Sequence, residues 1–514
     1  TTLRVPFAGS NVRFQWFRDG LPLADTILRS GSRAAQLLIR KFSAADVGTY
    51  TCEVQAFGDR EVVGDCKVRL MQVPTVVSPP PRAGIIGSMR WQLSSSEVRT
   101  SFSVKGLPKG LKYDPGKRLI YGTPSGAGTY PIWITPSNPA GSGLVQKYFL
   151  SVELPDPAFR GEWVGLADRS AAVNGMLGGA VRMTVTSTGS VSGWFRNGGT
   201  DYRFSGRLTG VPGGDASFRT VIDRGPLLPL VLYFTFPRGG DVVTGRVTMG
   251  GNEARVLARR GTVPGPGTAK SGSTLQCLFR LADDKKIGNL AVPQGTGWMQ
   301  IRRTVGPASV ALAASGCLAD GTPISFTVPE CEGGDFPIFS VYPAHNGSFT
   351  GWGNLSEPSF QGQAFSGRFQ WRKLRPSDSL DTSYRAGIDL LVAGSGATRS
   401  AVSDISDSAE IVFSYGGLTW GQEIDLNQSY LLTPAGKGLF PGGPLSPAWI
   451  SMQVDSARGT FTGNVRIKEG LVIRNFGYDG IFGDGTGEGF FTLRQLPVLG
   501  NSPVLSGSVQ IRPR

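Results

Sequence analysis

Across the C-terminal two-thirds of the chain, apolar and polar residues alternate in short runs that end on the same punctuation. Val181-Arg-Met-Thr-Val-Thr, Ile338-Phe-Ser-Val-Tyr and Ile450-Ser-Met-Gln-Val each keep a two-residue period, which sets one face of a strand on a core and the other in water. They lead to Gly189-Ser-Val-Ser-Gly193, Gly347-Ser-Phe-Thr-Gly351 and Gly459-Thr-Phe-Thr-Gly463. A looser copy, Gly240-Asp-Val-Val-Thr-Gly245, lies between the first two. The first glycine lets the chain turn back. The β-branched or aromatic residue and the hydroxyl residue that follow start the returning strand. The second glycine marks a bend, a bulge or a close approach of backbones. The predicted unit is a β-hairpin, used repeatedly. Runs with helical periodicity are short and broken by Gly or Pro, so the chain is expected to be all-β.

The N-terminal stretch carries a different pattern. Phe14-Gln-Trp16-Phe-Arg-Asp-Gly20 is followed by Leu37-Leu-Ile39 and then by Asp46-Val-Gly-Thr-Tyr50-Thr-Cys52. Residues 1–73 resemble an immunoglobulin domain of the intermediate set. The resemblance implies that Trp16 is the core residue of strand C and that Tyr50 forms the tyrosine corner of strand F. There are two departures from the family pattern. Val5 stands where the strand-B cysteine belongs, so Cys52 lacks its usual partner; Cys66, on the next strand, is the alternative partner, and this bridge is preferred over two buried thiols because cysteines on adjacent strands can come within bonding reach. Strand A is also missing. Either upstream residues are not included, or another chain supplies the strand to an open edge.

Val73-Pro-Thr-Val-Val-Ser-Pro-Pro-Pro81 reads as an extended linker. Beyond it, Gly106-Leu-Pro-Lys-Gly-Leu111, Ile120-Tyr-Gly-Thr-Pro124, Gly128-Thr-Tyr130 and Asn138-Pro-Ala-Gly141 resemble the cadherin-like, putative-Ig domain of large bacterial surface proteins, over residues 82–154. Its carboxylates (Glu97, Asp114, Glu153, Asp156) make no calcium ligand set. Three β-repeat units follow at 157–262, 272–376 and 380–514, and the first two could form one barrel together. This region resembles the C-terminal repeat of secreted proteins from environmental Gram-negative bacteria, a likeness that brings no activity with it. The expected architecture is therefore tandem Ig-like β-sandwiches followed by antiparallel β-barrel or sandwich repeat domains.

Composition changes the picture in three ways. A chain of 514 residues with 73 Gly and 35 Pro is long and rich in turns, which suggests roughly three to five domains. It has no apolar run long enough for a transmembrane segment, and it begins Thr1-Thr-Leu, which points to a leader or longer N-terminal region removed or not included. The net charge is +14. That fits a solvated surface, or attraction to an anionic polysaccharide, a cell surface or nucleic acid. The basic residues, such as Arg29, Arg182, Arg302, Arg303, Arg372 and Arg466, form no tract longer than two, which argues against a specific nucleic-acid groove. Cys52, Cys66, Cys277, Cys317 and Cys331 show no zinc spacing. Their clustering suggests one bridge near the N-terminus and one among the later three, as in an oxidising compartment.

No catalytic constellation emerges. His345 is the one histidine, and its place at a hairpin tip suits a turn better than a general base. Asp479, Asp484 and Glu488 surround a glycine-rich stretch that could hold a cation, although the spacing is not that of an EF-hand. No metal or cofactor is expected. Trp194, Trp352, Trp371, Trp420 and Trp449 could stack on sugars, and Trp420 and Trp449 are the retained candidates. Trp194 and Trp352 both follow a second signature glycine, which points to a structural role for the pair. The expected function is an extracellular structural or adhesive surface protein of a bacterium, self-associating or joined to other surface proteins, in its specific form a filament subunit. The alternative is a carbohydrate-binding accessory array of a secreted polysaccharide-active protein.

Overall fold

The computed structural model describes residues 1–7, 11–56, 59–79, 87–210, 213–265, 274–342, 346–355, 365–374, 384, 386–398, 408–418, 428–441, 448–469, 471–483, 486–496 and 502–513. Strands account for 64% of the chain and helix for 4%, so the fold is all-β. The chain divides into two compact units, Thr1–Ala83 with Ser88–Val152, and Gly84–Gly87 with Glu153–Arg514.

The first unit opens with β1 (Thr2–Arg4), β2 (Arg13–Arg18), β3 (Leu21–Pro22), β4 (Arg29–Ser30), β5 (Gln36–Ile39), β6 (Gly48–Ala56) and β7 (Asp59–Val68). They form two sheets, β1-β5-β4 and β3-β2-β6-β7, the two-layer arrangement of an immunoglobulin sandwich. Trp16, Leu37, Ile39, Tyr50 and Cys52 fill the space between them, with Val5 beside them. The Tyr50 hydroxyl donates to the Asp46 carbonyl at 2.7 Å, the tyrosine corner that the Asp-x-Gly-x-Tyr-x-Cys spacing implied. β1 pairs with β5 alone among the described residues.

Seven further strands complete this unit: β8 (Met89–Gln92), β9 (Ser101–Lys105), β10 (Leu111–Asp114), β11 (Leu119–Gly122), β12 (Gly128–Asn138), β13 (Gly141–Ser142) and β14 (Gln146–Val152). One sheet is β10-β11-β8; in the other, β12 is flanked by β9 and by β13 and β14. The expected linker is not free. Val77 donates to the Ser94 carbonyl and Thr75 to the Ser96 hydroxyl, both at 3.0 Å. Backbone donors made available by this extended segment are thus used in pairing.

The second unit holds three meanders of eight strands, the first with a ninth strand of two residues. The first runs through β15 (Gly161–Ala167), β16 (Gly179–Val185), β17 (Ser190–Asn197), β18 (Thr200–Arg207), the two-residue β19 (Thr209–Gly210), β20 (Ala216–Arg224), β21 (Leu227–Phe236), β22 (Val242–Met249) and β23 (Asn252–Arg260). Its first and last long strands pair, and β18 packs on β20 across a seam without strand pairing. The second comprises β24 (Thr274–Leu281), β25 (Gly297–Val305), β26 (Val310–Cys317), β27 (Pro323–Pro329), β28 (Asp335–Tyr342), β29 (Gly347–Leu355), β30 (Phe365–Lys373) and β31 (Ile388–Thr398). Here β24 pairs with β31, and the seam lies between β27 and β28. The third is a closed barrel of β32 (Ser408–Tyr415), β33 (Gln428–Leu432), β34 (Lys437–Leu439), β35 (Ala448–Asp455), β36 (Thr460–Glu469), β37 (Val472–Gly483), β38 (Thr486–Arg494) and β39 (Val504–Pro513).

Eight strands leave an interior that side chains can fill. Phe195, Phe218 and Phe234 fill the first, Phe279, Phe349 and Phe369 the second, and Phe413, Phe461 and Phe491 the third. Outward positions are polar: along β36 they are Thr462, Asn464, Arg466 and Lys468. Two expectations are corrected. The first two units do not share a barrel, because each meander pairs its own first and last strands. The second also extends past 376 to Thr398, because β31 lies between β24 and β30 and supplies Ile388, Leu390 and Val392 to that core. An alternating run reads the same whether it closes one barrel or opens the next, so periodicity alone does not assign β31 to the second barrel.

Candidate functional site

The residues singled out from sequence are scattered. His345, Trp420 and Asp484 lie outside the described residues. Trp371 is buried in the second core. Trp449, 36% exposed, sits on β35 directly opposite Arg466 of β36. All five cysteines are free thiols. The register sets Cys66 opposite Tyr50, and Cys52 opposite Val63. With Cys52 buried and Cys66 exposed, the expected bridge is not formed.

Asp479 and Glu488 are brought together with other partners than a cation. The indole N–H of Trp298 donates to Asp479 Oδ1, and Arg280 grips both carboxylate oxygens of Glu488. These contacts join the second barrel to the third. Burial pushes the Asp479 carboxyl up, and the hydrogen bond from Trp298 opposes that shift. No group of three or more metal-ligating side chains occurs among the described residues.

Two recesses form around Trp194 and Trp352, the pair expected to be structural. Both rings project from outer faces, because the flanking Val191 and Phe195, or Phe349, take the inward positions. The Trp352 recess, about 1000 Å³, lies where the first barrel meets the second. Arg169 enters it from the turn after β15. Its guanidinium donates to Asp389 Oδ1 at 3.3 Å, to the Ser348 carbonyl at 3.2 Å and to the Gln370 carbonyl at 3.0 Å. Arg372 holds the other oxygen of Asp389 at 2.8 Å. Burial lowers the Arg169 pKa, and Asp389 opposes that effect. Arg259 of the first barrel lies over the Trp352 ring, 5.6 Å from its centroid. This recess is taken up by contacts between barrels.

The Trp194 recess, about 880 Å³, lies on the outer face of the first barrel alone. Arg182 and Arg203 stand directly opposite Trp194 on the two neighbouring strands. Arg196 lies over the ring at 5.7 Å and forks onto Asp201, with bonds of 2.5 and 2.6 Å. That hydrogen bonding holds the Asp201 carboxyl below the usual carboxylate value. Arg182 pairs with Glu162. The recess reaches Thr220 and Val221 across the β18–β20 seam.

The same cross-strand arrangement recurs. On the far side of the seam, Tyr233 of β21 lies between Arg219 and Arg246, 5.4 and 4.9 Å from its ring. In the first unit, Trp133, 37% exposed, lies between Lys105 and Lys147. The signal was present in the sequence but depends on register, which periodicity alone does not supply.

Residues 74–153 match the family described as Putative Ig domain. No curated protein matches the sequence. Among solved structures, the immunoglobulin domains 1–5 of Sidekick-1 align at 12% identity over 92% of this chain and 93% of that one, with a TM-score of 0.22. Insect hemolin aligns at 12% identity over 64% of this chain and 94% of that one, also at 0.22. Transferrin binding protein B of Neisseria meningitidis serogroup B aligns at 9% over 75% and 83%, at 0.16. Superpositions this loose carry no argument about this chain.

Proposed function

We propose that this chain is an adhesive, non-catalytic array of β modules from an extracellular protein, binding through the outer faces of its sheets. The supporting observation is the repeated aromatic–cation row on those faces, set on barrels whose interiors are filled with phenylalanine. Acidic groups beside the recesses, Glu162, Asp201 and Asp389, are held by arginines, which suits recognition better than acid–base chemistry. In the self-assembling form of this reading, a neighbouring copy adds a strand beside β1, whose outer edge has no strand partner among the described residues. Sedimentation velocity across a wide concentration range, with a survey of immobilised cell-surface polymers, tests the proposal. Concentration-dependent assembly or surface binding is expected. A chain that stays monomeric and binds no surface, or one that turns over a substrate, overturns it.

A further inference from the structure

We propose that the outer face of the first barrel, from β16 to β22, binds a polyuronate chain. This rests on the reading of the protein as a binder. Two rows, Arg182–Trp194–Arg203 and Arg219–Tyr233–Arg246, lie on either side of the β18–β20 seam. Each row crosses three strands and so spans about 10 Å between its outer cations, the length of a disaccharide. The aromatic ring offers a flat apolar surface to the C–H face of a sugar. Arg203 offers a planar fork that fits a carboxylate, while Arg182 and Arg246 pair with Glu162 and Glu253 and Arg219 donates to the Tyr233 hydroxyl.

Carboxylate is the ligand chemistry the recess already handles. Arg182 holds Glu162 and Arg196 holds Asp201. Arg203 stands in the same recess and makes no ion pair among the described residues, so a uronate carboxylate would supply what its neighbours draw from the protein. At the seam, the edge of β20 beyond Ser217 has no strand partner on the β18 side among the described residues. Its backbone groups, with the Ser192, Ser205 and Thr220 hydroxyls of the recess, can exchange hydrogen bonds with sugar hydroxyls. A nucleic acid would instead be held through a run of phosphates by clustered cations, and these cations are spaced in separate rows.

Titration calorimetry of the full chain with polygalacturonate at low salt tests this, with dextran, dextran sulfate and single-stranded DNA as comparison polymers. Polygalacturonate is expected to bind and dextran not to. Arg203→Gln and Trp194→Ala are each expected to weaken binding about ten-fold, while Arg60→Gln, which removes an exposed charge elsewhere, leaves it unchanged. Circular dichroism and melting curves of the variants separate lost binding from lost folding. The proposal is overturned if polygalacturonate does not bind, if Arg60→Gln weakens it as much as Arg203→Gln, or if DNA or dextran sulfate binds as tightly. Shortening of the polymer during titration would instead overturn the non-catalytic reading, which stands if binding alone is absent.

Discussion

Gly351 of β29 lies directly across from Phe369 of β30, and the ring occupies the space a side chain on Gly351 would need. A Cβ placed there would clash with the Arg368 carbonyl oxygen and sit 2.7 Å from Phe369 Cδ1. The same register recurs at every copy of the hairpin: Gly193 faces Phe204, Gly245 faces Phe234, and Gly463 faces Tyr478, although at Gly193 a Cβ would meet the Arg182 carbonyl and Met183 Cα rather than the ring. The second glycine thus lets a neighbouring strand's backbone approach closely, and at Gly245, Gly351 and Gly463 it also leaves room for an aromatic ring from the adjacent strand. Phe369 itself stacks on Phe349 at 5.2 Å and meets Phe279 edge-on at 5.5 Å.

Gly351→Ala is therefore expected to destabilise the second barrel by about 1–3 kcal/mol through overpacking. Phe369→Ala is expected to cost about 3–5 kcal/mol through the cavity it leaves. Combined with Phe369→Leu, the alanine at 351 should recover only the part of its cost owed to the ring, because the Arg368 carbonyl stays in place. Calorimetric unfolding, read at the transition assigned to the second barrel, gives these differences. Additive effects would mean that the ring has no share in the requirement for glycine and that the backbone approach alone sets it.

This pairing also marks how far the sequence could be read. Alternation and glycine punctuation revealed the strands and the hairpins, and the Tyr50–Cys52 spacing revealed the tyrosine corner. The position of each hairpin within its barrel was not legible. The signature opens the third strand in the first barrel, β17, but the sixth in the second, β29, and the fifth in the third, β36. The copies are out of phase, so they could not mark domain boundaries. The cation on either side of Trp194 was hidden for a related reason. Arg182 and Arg203 are 12 and 9 positions away in sequence and become neighbours only through register.

Arg169 ties the first barrel to the second through acceptors on three strands, β29, β30 and β31. Arg169→Ala would leave the Ser348 and Gln370 carbonyls without this donor and Asp389 with Arg372 alone. The expected loss is about 2–3 kcal/mol, typical of charge-assisted hydrogen bonds. Arg169→Lys should recover little, because one ammonium cannot span the positions a guanidinium fork reaches. Thermal unfolding of both variants, with limited proteolysis at the junction, checks this. Full recovery by lysine would reduce the site to simple charge.

Asp479 gives the third junction contact a pH dependence. Its folded pKa is raised above 3.8 by burial, so the folded state favours the protonated carboxyl. The contribution is fully present below that ordinary value and is lost as pH rises through the folded value. Asp479→Asn keeps an oxygen to accept from Trp298 and removes the titration. The variant should gain stability relative to wild type as pH rises above the ordinary carboxyl value of 3.8. Asp479→Ala strands the indole N–H and should cost about 1–2 kcal/mol relative to Asp479→Asn at any pH. Urea unfolding at a series of pH values separates these outcomes, and a flat difference between Asp479→Asn and wild type would refute the sign.

Thiol chemistry should distinguish Cys66 from the rest. Cys66 is exposed on β7, whereas Cys52, Cys277 and Cys331 are buried. Burial raises the Cys52 thiol to about 11 and pushes up those of Cys277 and Cys331 as well. It also raises Cys317, at intermediate exposure, to about 11, with Asp479 and Asp320 adding to the effect. Thiolate is the reactive form, so a disulfide reagent at about pH 8 should modify Cys66 promptly and the other four at the rate of opening or unfolding. Cys66→Ser should abolish the fast phase and leave the slow ones. The stability gained by keeping Cys52 neutral is complete below its ordinary value of 9.0 and falls as pH rises to about 11. Cys52→Ala should therefore flatten the alkaline end of the stability curve of the first sandwich. A second prompt thiol, or a fast phase that survives Cys66→Ser, would contradict this assignment.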